Sequence, residues 1–372
     1  MRAFFRHLWY PVRTRIRNVH GWYRRLRLLA SGVMAFRRTG ATPTAAYHAL
    51  IELFCKTGGY SNDLLHRAIA ITHPPYPLPP ARGILGDLAG SAIEPVLESL
   101  RRDGFYAFPK PLPEGLVDDM VRFAYRTPAK LLGRTESAIY DPRNPVATRY
   151  DFRECDVMQN EAARQIVGDP SVLALAQRYL GCQPILDIVT LWWSTVSRNN
   201  SAEEAAQLYH FDMDRIKWLK LFVYLTDVTP RSGPTCFIRG SHRRGSQPRE
   251  LLGFGYSRIP EELIRQHYPT DRIVELTAKR GSIVAVDTRG FHKGKPLEEK
   301  DRLVFQIEYC DSLFGAAYEK TRVALPPASP LRGLSEKYPR IFSKFEWTSE
   351  DPATAFAINP SPASSFPTRR RL

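Results

Sequence analysis

Residues 216–225, Ile216-Lys217-Trp218-Leu219-Lys220-Leu221-Phe222-Val223-Tyr224-Leu225, constrain the fold more than any other stretch of this chain. Ten residues rich in branched and aromatic side chains, with neither Gly nor Pro, read as a β-strand. The period of two puts Trp218, Lys220, Phe222 and Tyr224 on one face and Leu219, Leu221, Val223 and Leu225 on the other. Thr229-Pro230-Arg231-Ser232-Gly233-Pro234 then makes a turn, and Thr235-Cys236-Phe237-Ile238 a short return strand. Farther on, residues 281–287 lead to Gly290-Phe291-His292, and residues 302–309 read as another strand. Strand, turn and strand at this spacing suit a mainly β, double-sheet jelly roll with flanking helices.

Just before the long strand stands His210-Phe211-Asp212. Two residues apart on extended chain means one side, so His210 and Asp212 can point at one metal together. His292, eighty residues beyond Asp212, would complete a two-histidine, one-carboxylate face. Such a face leaves positions open on an iron(II) ion for a chelating cosubstrate and dioxygen. Arg302, ten residues after His292, suits the far carboxylate of 2-oxoglutarate, which a planar guanidinium holds bidentately. A lone His-x-Asp is a weak signal, and the flanking strands strengthen it. The pattern points to an oxygenase.

Other residues near these admit two readings each. Lys220 shares a strand face with Phe222; on a cavity wall it would meet a cosubstrate or substrate carboxylate, and on the surface it would only bury its stem. Asp214 and Arg215 are substrate contacts or solvated loop charges. His242 reads as structural, because a fourth ligand would block the open positions. His66, His73 and His267 lack partner spacing.

Together these residues resemble the phytanoyl-CoA dioxygenase family of iron(II)/2-oxoglutarate oxygenases. The matching pieces are His210-Phe211-Asp212, the Asp227-to-Gly233 turn, Ile238-Arg239-Gly240-Ser241-His242, His292, Arg302 and an upstream segment from Leu100 to Phe108. The resemblance covers about residues 93 to 315. It implies a double-stranded β-helix of the cupin-like kind, iron(II) at His210, Asp212 and His292, and Arg302 on the C5 carboxylate of 2-oxoglutarate. It also implies a hydroxylase acting on an aliphatic carbon of a small-molecule or lipid-linked substrate, releasing succinate and carbon dioxide. Family members often carry Ser or Asn two residues past the distal histidine, where this chain has Gly294, and Pro where it has Arg239. The aspartate is retained where related halogenases have a small residue, so no chloride site is expected. The alternative from another class is a non-catalytic jelly-roll binding or scaffold protein that keeps the motif.

The formal charge of +15 is unevenly placed. Residues 1–40 hold ten arginines and no acidic residue, and Arg369-Arg370-Arg371 closes the sequence. Without those thirteen the chain has 40 basic and 38 acidic residues. Five scattered cysteines without C-x-x-C spacing read as reduced thiols of a cytoplasmic protein. No apolar run is long enough to span a bilayer.

The sequence divides into a basic amphipathic segment (1–40), a helical extension with a Pro-rich linker (41–92), the jelly-roll oxygenase domain (93–345) and an extended tail (346–372). In the first, Val12, Ile16, Val19, Tyr23, Leu26, Ala30 and Val33 recur at helical spacing among arginines. This stripe suits an anionic membrane surface, giving a peripheral protein. Packing on the body and a targeting segment are the other readings. In the second, Thr42-Pro43 is expected to cap one helix and Asn62 another. Helices are expected near 90–102, 114–125 and 170–180. No nucleic-acid module follows the basic segment, so no nucleic-acid partner is expected.

Overall fold

The computed structural model describes residues 2–196 and 208–349, with side chains from residue 21 onward. Its main strands are β1 (Phe105–Ala107), β2 (Arg149–Asp151), β3 (Ile185–Ser194), β4 (Trp218–Tyr224), β5 (Thr235–Ile238), β6 (Ile273–Leu276), β7 (Ile283–Val286), β8 (His292–Gly294) and β9 (Arg302–Cys310). The large sheet runs β1-β7-β4-β9-β3-β2 and is continued by two short strands. The small sheet runs β6-β5-β8 and is widened by the bridges His210↔His292 and Tyr209↔Ile259. These two sheets make a double-stranded β-helix.

The alternation in residues 216–225 decides how the layers meet. Leu219, Leu221, Val223 and Leu225 face outward into a core shared with helices α4 (Glu94–Asp103), α5 (Glu114–Arg126) and α6 (Pro170–Leu180). Phe222 and Tyr224 face inward, packing with Phe237 of the small sheet and with Val284, Val286 and Val304. Helix α6 starts where Asp169 accepts hydrogen bonds from the Ser171 and Val172 amides and Pro170 fills the first turn.

Three further helices precede the barrel: α1 (Arg2–Thr39), α2 (Thr44–Thr57) and α3 (Tyr60–Thr72). At 1.5 Å per residue, α1 is about 57 Å long. Among the residues of α1 whose side chains are described, the C-terminal ones pack on the body. Leu29 is buried, Phe36 meets Phe314 edge-on at 5.6 Å, and a Cβ on Gly32 would stand 2.2 Å from the Ala46 Cβ, so α1 and α2 need glycine to approach this closely. Tyr23 and Leu26 of the expected stripe are 65% and 53% exposed. The packed face is therefore Leu29, Gly32, Val33 and Phe36. From α2, Leu50, Leu53 and Phe54 enter one core with Phe211 and Phe291.

Local capping expectations give way to tertiary contacts in this region. Helix α2 begins after Pro43, one residue later than the sequence suggests, and Thr42 Oγ1 instead accepts the Gly315 amide at 3.0 Å. Asn62 lies inside α3, which starts after Gly59; its buried amide donates to the Ile216 carbonyl at 3.1 Å. A buried carbonyl needs a partner more than a helix end needs that side chain. At the other end, Phe345–Thr348 pairs in parallel with Thr321–Ala324, and the rest of the expected tail lies outside the described residues.

Candidate metal and cosubstrate site

His210 and His292 sit opposite one another, joined by two backbone hydrogen bonds of 2.9 and 2.8 Å. The row continues across the small sheet through Phe237 and Val274. Phe237 packs in the barrel interior, so both histidines share that inner face. Their rings lie 4.3 Å apart. His210 Nδ1 meets the Leu208 carbonyl at 2.9 Å and His292 Nδ1 the Gly290 carbonyl at 3.0 Å. A carbonyl only accepts, so each Nδ1 carries the proton and each Nε2 keeps a lone pair.

Asp212 closes the triangle. Its oxygens stand 3.8 Å from His210 Nε2 and 3.7 Å from His292 Nε2, and one donor atom from each residue lies within 4.8 Å of the others. Phe211, between the two motif residues, points the opposite way and stacks on Phe54 of α2 at 5.6 Å. Burial, and then each other's proximity, holds the His210 pKa well below its ordinary value; burial likewise lowers His292. Burial alone would raise the Asp212 pKa, but the Lys220 ammonium and the two histidines overcome it and hold it low. Neutral histidines beside an ionised carboxylate form the donor set a divalent iron site needs.

Lys220 is fully enclosed, with its Nζ 2.6 Å from Asp212 Oδ2 and 3.3 Å from Glu308 Oε2. The carboxylates it meets are the protein's own. Glu308 lies opposite Lys220 in the β4–β9 register, neither of its oxygens accepts a hydrogen bond, and burial pushes its pKa up to about 8. Arg215 is also buried, and Asp214 is half-buried. Asp214 accepts from the Tyr256 hydroxyl at 3.2 Å, and Arg215 forms a buried two-point pair with Asp187 at 2.6 and 3.0 Å.

Arg302 opens β9 on the same inner face. Its side chain is buried, Nη1 donates to the Gly233 carbonyl, and Nε has no partner. Gly233 takes the left-handed conformation (φ 72°) in the turn that aims this carbonyl inward. Among the described residues no carboxylate pairs with Arg302. A buried guanidinium without an acid calls for an anion from outside, which a 2-oxoglutarate carboxylate supplies. Residues and cofactors fit each other.

The profile of the family Phytanoyl-CoA dioxygenase (PhyH) matches residues 100–302. The chain belongs to the phytanoyl-CoA dioxygenase family. As a family member it is an iron(II)/2-oxoglutarate-dependent oxygenase. No curated protein shows significant sequence similarity to it. Similar solved structures include SnoN, the non-heme alpha ketoglutarate dependent epimerase from nogalamycin biosynthesis, at 18% identity, 59% of this chain, 83% of that chain and a TM-score of 0.42. EctD from S. alaskensis has 15% identity over 64% of this chain and 80% of its own, with a TM-score of 0.42. HygX from Streptomyces hygroscopicus, with nickel, 2-oxoglutarate and hygromycin B bound, has 15% identity over 63% and 92%, again with a TM-score of 0.42.

Within this family member, His210, Asp212, His292, Lys220 and Arg302 all converge on the barrel interior. Glu308 escaped notice in the sequence, although counting by twos from Arg302 along β9 puts it on the same face. Asp187 and its pairing with Arg215 had no local signal. His242 is buried against Gly104, where a Cβ would come within 2.6 Å of its Nδ1. His66 is paired with Asp311 at 2.8 Å.

Proposed function

We propose that this oxygenase is a hydroxylase of an aliphatic carbon, with His210, Asp212 and His292 as the iron ligands and Arg302 as the anchor for the distal carboxylate of 2-oxoglutarate. The observation that carries this reading is the buried Arg302 guanidinium, which has no acidic partner among the described residues, on the same inner face as the three donor atoms. When bound, iron(II) supplies dioxygen activation, coupled to conversion of 2-oxoglutarate to succinate and carbon dioxide. The two histidines present Nε2 because backbone carbonyls hold Nδ1. Lys220 acts on the cofactor through Asp212, orienting the carboxylate by one oxygen. Phe222, Val304 and Trp192 keep the interior dry, which strengthens each polar contact made there. The retained aspartate supports oxygen rather than halogen transfer.

The substrate is a small molecule, free or lipid-linked. The lipid-linked reading draws support from α1, whose Tyr23 and Leu26 stand exposed in a segment with ten arginines and no acid. We propose that this end of α1 lies on an anionic membrane surface. Among the described residues no helix is long and apolar enough to cross a membrane.

The test is succinate formation from 2-oxoglutarate by the iron-loaded protein, with and without candidate substrates, followed by mass analysis of the product. A gain of one oxygen atom in a substrate supports hydroxylation. Loss of two hydrogens without oxygen gain, or an isomeric product, would replace it with another oxygenase outcome. No succinate under any condition would favour the binding-protein alternative.

A further inference from the structure

Counting by twos from Arg302 along β9 brings Val304, Gln306 and Glu308 inward. The rows they belong to differ in kind. Val304 lies between Tyr224 of β4 and Trp192 of β3, an apolar row next to the Arg302 end. Gln306 lies between Phe222 and Thr190, and Glu308 between Lys220 and Ile188. Lys220 reaches Asp212, so the Glu308 row stands beside the metal site and the Gln306 row next to it. Here the inner wall turns polar.

The protein leaves these polar groups unused. Gln306 is only 8% exposed, and its carboxamide has no hydrogen-bonding partner among the described residues. The Thr190 hydroxyl, directly opposite, has none there either. Neither oxygen of Glu308 accepts a hydrogen bond. Val189, Leu191 and Trp193 of β3 belong to the helix-covered core, so Ile188 and Thr190 between them point inward. Both are nevertheless half-buried, and the interior is therefore open along β3 at this end.

A carboxamide and a hydroxyl each donate and accept. Directly opposed side chains stand about 4.5–5.5 Å apart at Cβ, so Gln306 and Thr190 can meet groups on neighbouring carbons of one ligand. Hydroxyl groups satisfy both of them. An alkyl chain would seal them from water unpaired, which a site of this kind rejects.

We infer that the substrate is a vicinal polyol of the kind a glycoside carries, not an acyl chain, and that Gln306 and Thr190 bind its hydroxyl groups. This rests on the oxygenase reading above and narrows its small-molecule substrate. Gln306 and Thr190 are specificity residues, and Glu308 offers a further acceptor in the next row. A free glycoside and the sugar headgroup of a lipid share this chemistry.

The experiment titrates nickel-loaded protein, saturated with 2-oxoglutarate, by calorimetry. The probes are the methyl glycosides of glucose, galactose and mannose, their octyl counterparts, and S-octanoyl pantetheine. The proteins are the parent, Gln306→Leu and Thr190→Val, each with a melting curve and its own 2-oxoglutarate titration. The parent should bind at least one glycoside and not the thioester. Gln306→Leu should weaken that binding on the order of tenfold, and Thr190→Val by a smaller factor. Tighter binding of an octyl than of a methyl glycoside identifies a lipid-borne sugar, and equal binding a free one; either supports the inference. A parent that binds the thioester alone, or no probe, overturns it. Loss of 2-oxoglutarate binding that matches the loss of glycoside binding would assign the two side chains to the cosubstrate and overturn it as well. Succinate formation by the iron-loaded parent is measured alongside. Its absence sinks the oxygenase reading, whereas succinate without glycoside binding sinks only the polyol inference. Should Gln306→Leu melt far below the parent, Gln306→Met is titrated instead, and undiminished glycoside binding there counts against the inference.

Discussion

Lys220 Nζ lies 2.6 Å from Asp212 Oδ2, so one oxygen of the motif carboxylate is held by a buried ammonium. That contact lowers the Asp212 pKa and leaves its other oxygen for a cation. Lys220→Met should lower nickel or iron affinity about 10–100-fold, the usual cost of removing a group that orients a ligand. Metal titration reads this directly. Unchanged affinity would reduce Lys220 to a partner for Glu308.

Replacing His210, Asp212 or His292 with alanine should abolish metal binding and succinate formation. The barrel should persist in each variant, because backbone pairing across two sheets and a buried apolar core hold its strands. Circular dichroism beside metal titration checks both halves. Parent-like turnover in Asp212→Ala would dismiss the ligand assignment.

Arg302→Lys keeps a positive charge but loses the planar fork and its bond to Gly233. The concentration of 2-oxoglutarate needed for half-maximal turnover should rise at least tenfold, on the scale of a lost charge-assisted bond. The maximal rate should change less. A steady-state titration of the cosubstrate separates the two.

Acid should destabilise the metal-free protein. Both motif histidines have folded pKa values below the ordinary 6.5. The unfolded chain therefore binds protons that the folded one refuses as pH drops below about 6.5, and stability falls through that window by at most about 1.4 kcal/mol per pH unit per histidine. Melting temperatures between pH 7 and pH 5 should slope downward, and the double His210→Asn/His292→Asn variant should flatten the slope. An equal slope in both proteins would place the acid sensitivity elsewhere.

The two ends of α1 predict opposite results on truncation. Deleting residues 1–27 removes Tyr23 and Leu26 but spares Leu29, Gly32 and Phe36. It should leave the melting temperature unchanged and abolish sedimentation with anionic vesicles. Vesicle binding by the intact protein should weaken with salt, since charges beyond a Debye length are screened. Deleting residues 1–40 also uncovers Leu50 and Leu53 and should lower the melting temperature by several degrees. Intact protein that ignores vesicles would end the membrane proposal.

The legible barrel strands, 216–225, 235–238, 281–287 and 302–309, carry their own local pattern, whereas Ile185–Ser194 and Ile273–Leu276 were not singled out in the sequence. The stretch 216–225 announced both faces, and the structure puts its leucines outward and Phe222 and Tyr224 inward. The His-x-Asp spacing worked the same way, as a local geometry that survives folding. Asp187, Arg215 and Thr190 had no such signal. Their meaning comes from cross-strand register between segments tens of residues apart, which one sequence does not print. Asn62 shows the converse error, a good local cap drawn inward by an unpaired carbonyl at Ile216. The amphipathic stripe of α1 ran past the point where packing begins, because helix periodicity does not say which turn meets the body.

The stacking of Phe54 on Phe211 sets a lower limit on the piece of this protein that can work alone. All three metal-facing side chains lie beyond residue 209, and the family match starts at residue 100. Yet the wall behind the His210-Phe211-Asp212 turn is built from α2. A fragment that began at the start of the family match, residue 100, would keep every ligand and lose the support that aims two of them, with a penalty of the size seen for emptying a buried phenylalanine site, about 3–5 kcal/mol. A fragment beginning at residue 100 should therefore melt lower than one beginning upstream of α2, which thermal melts of the two would check. Exchanging the helices before the barrel without the barrel strands would leave the seam at Phe54 and Phe211 to be repacked.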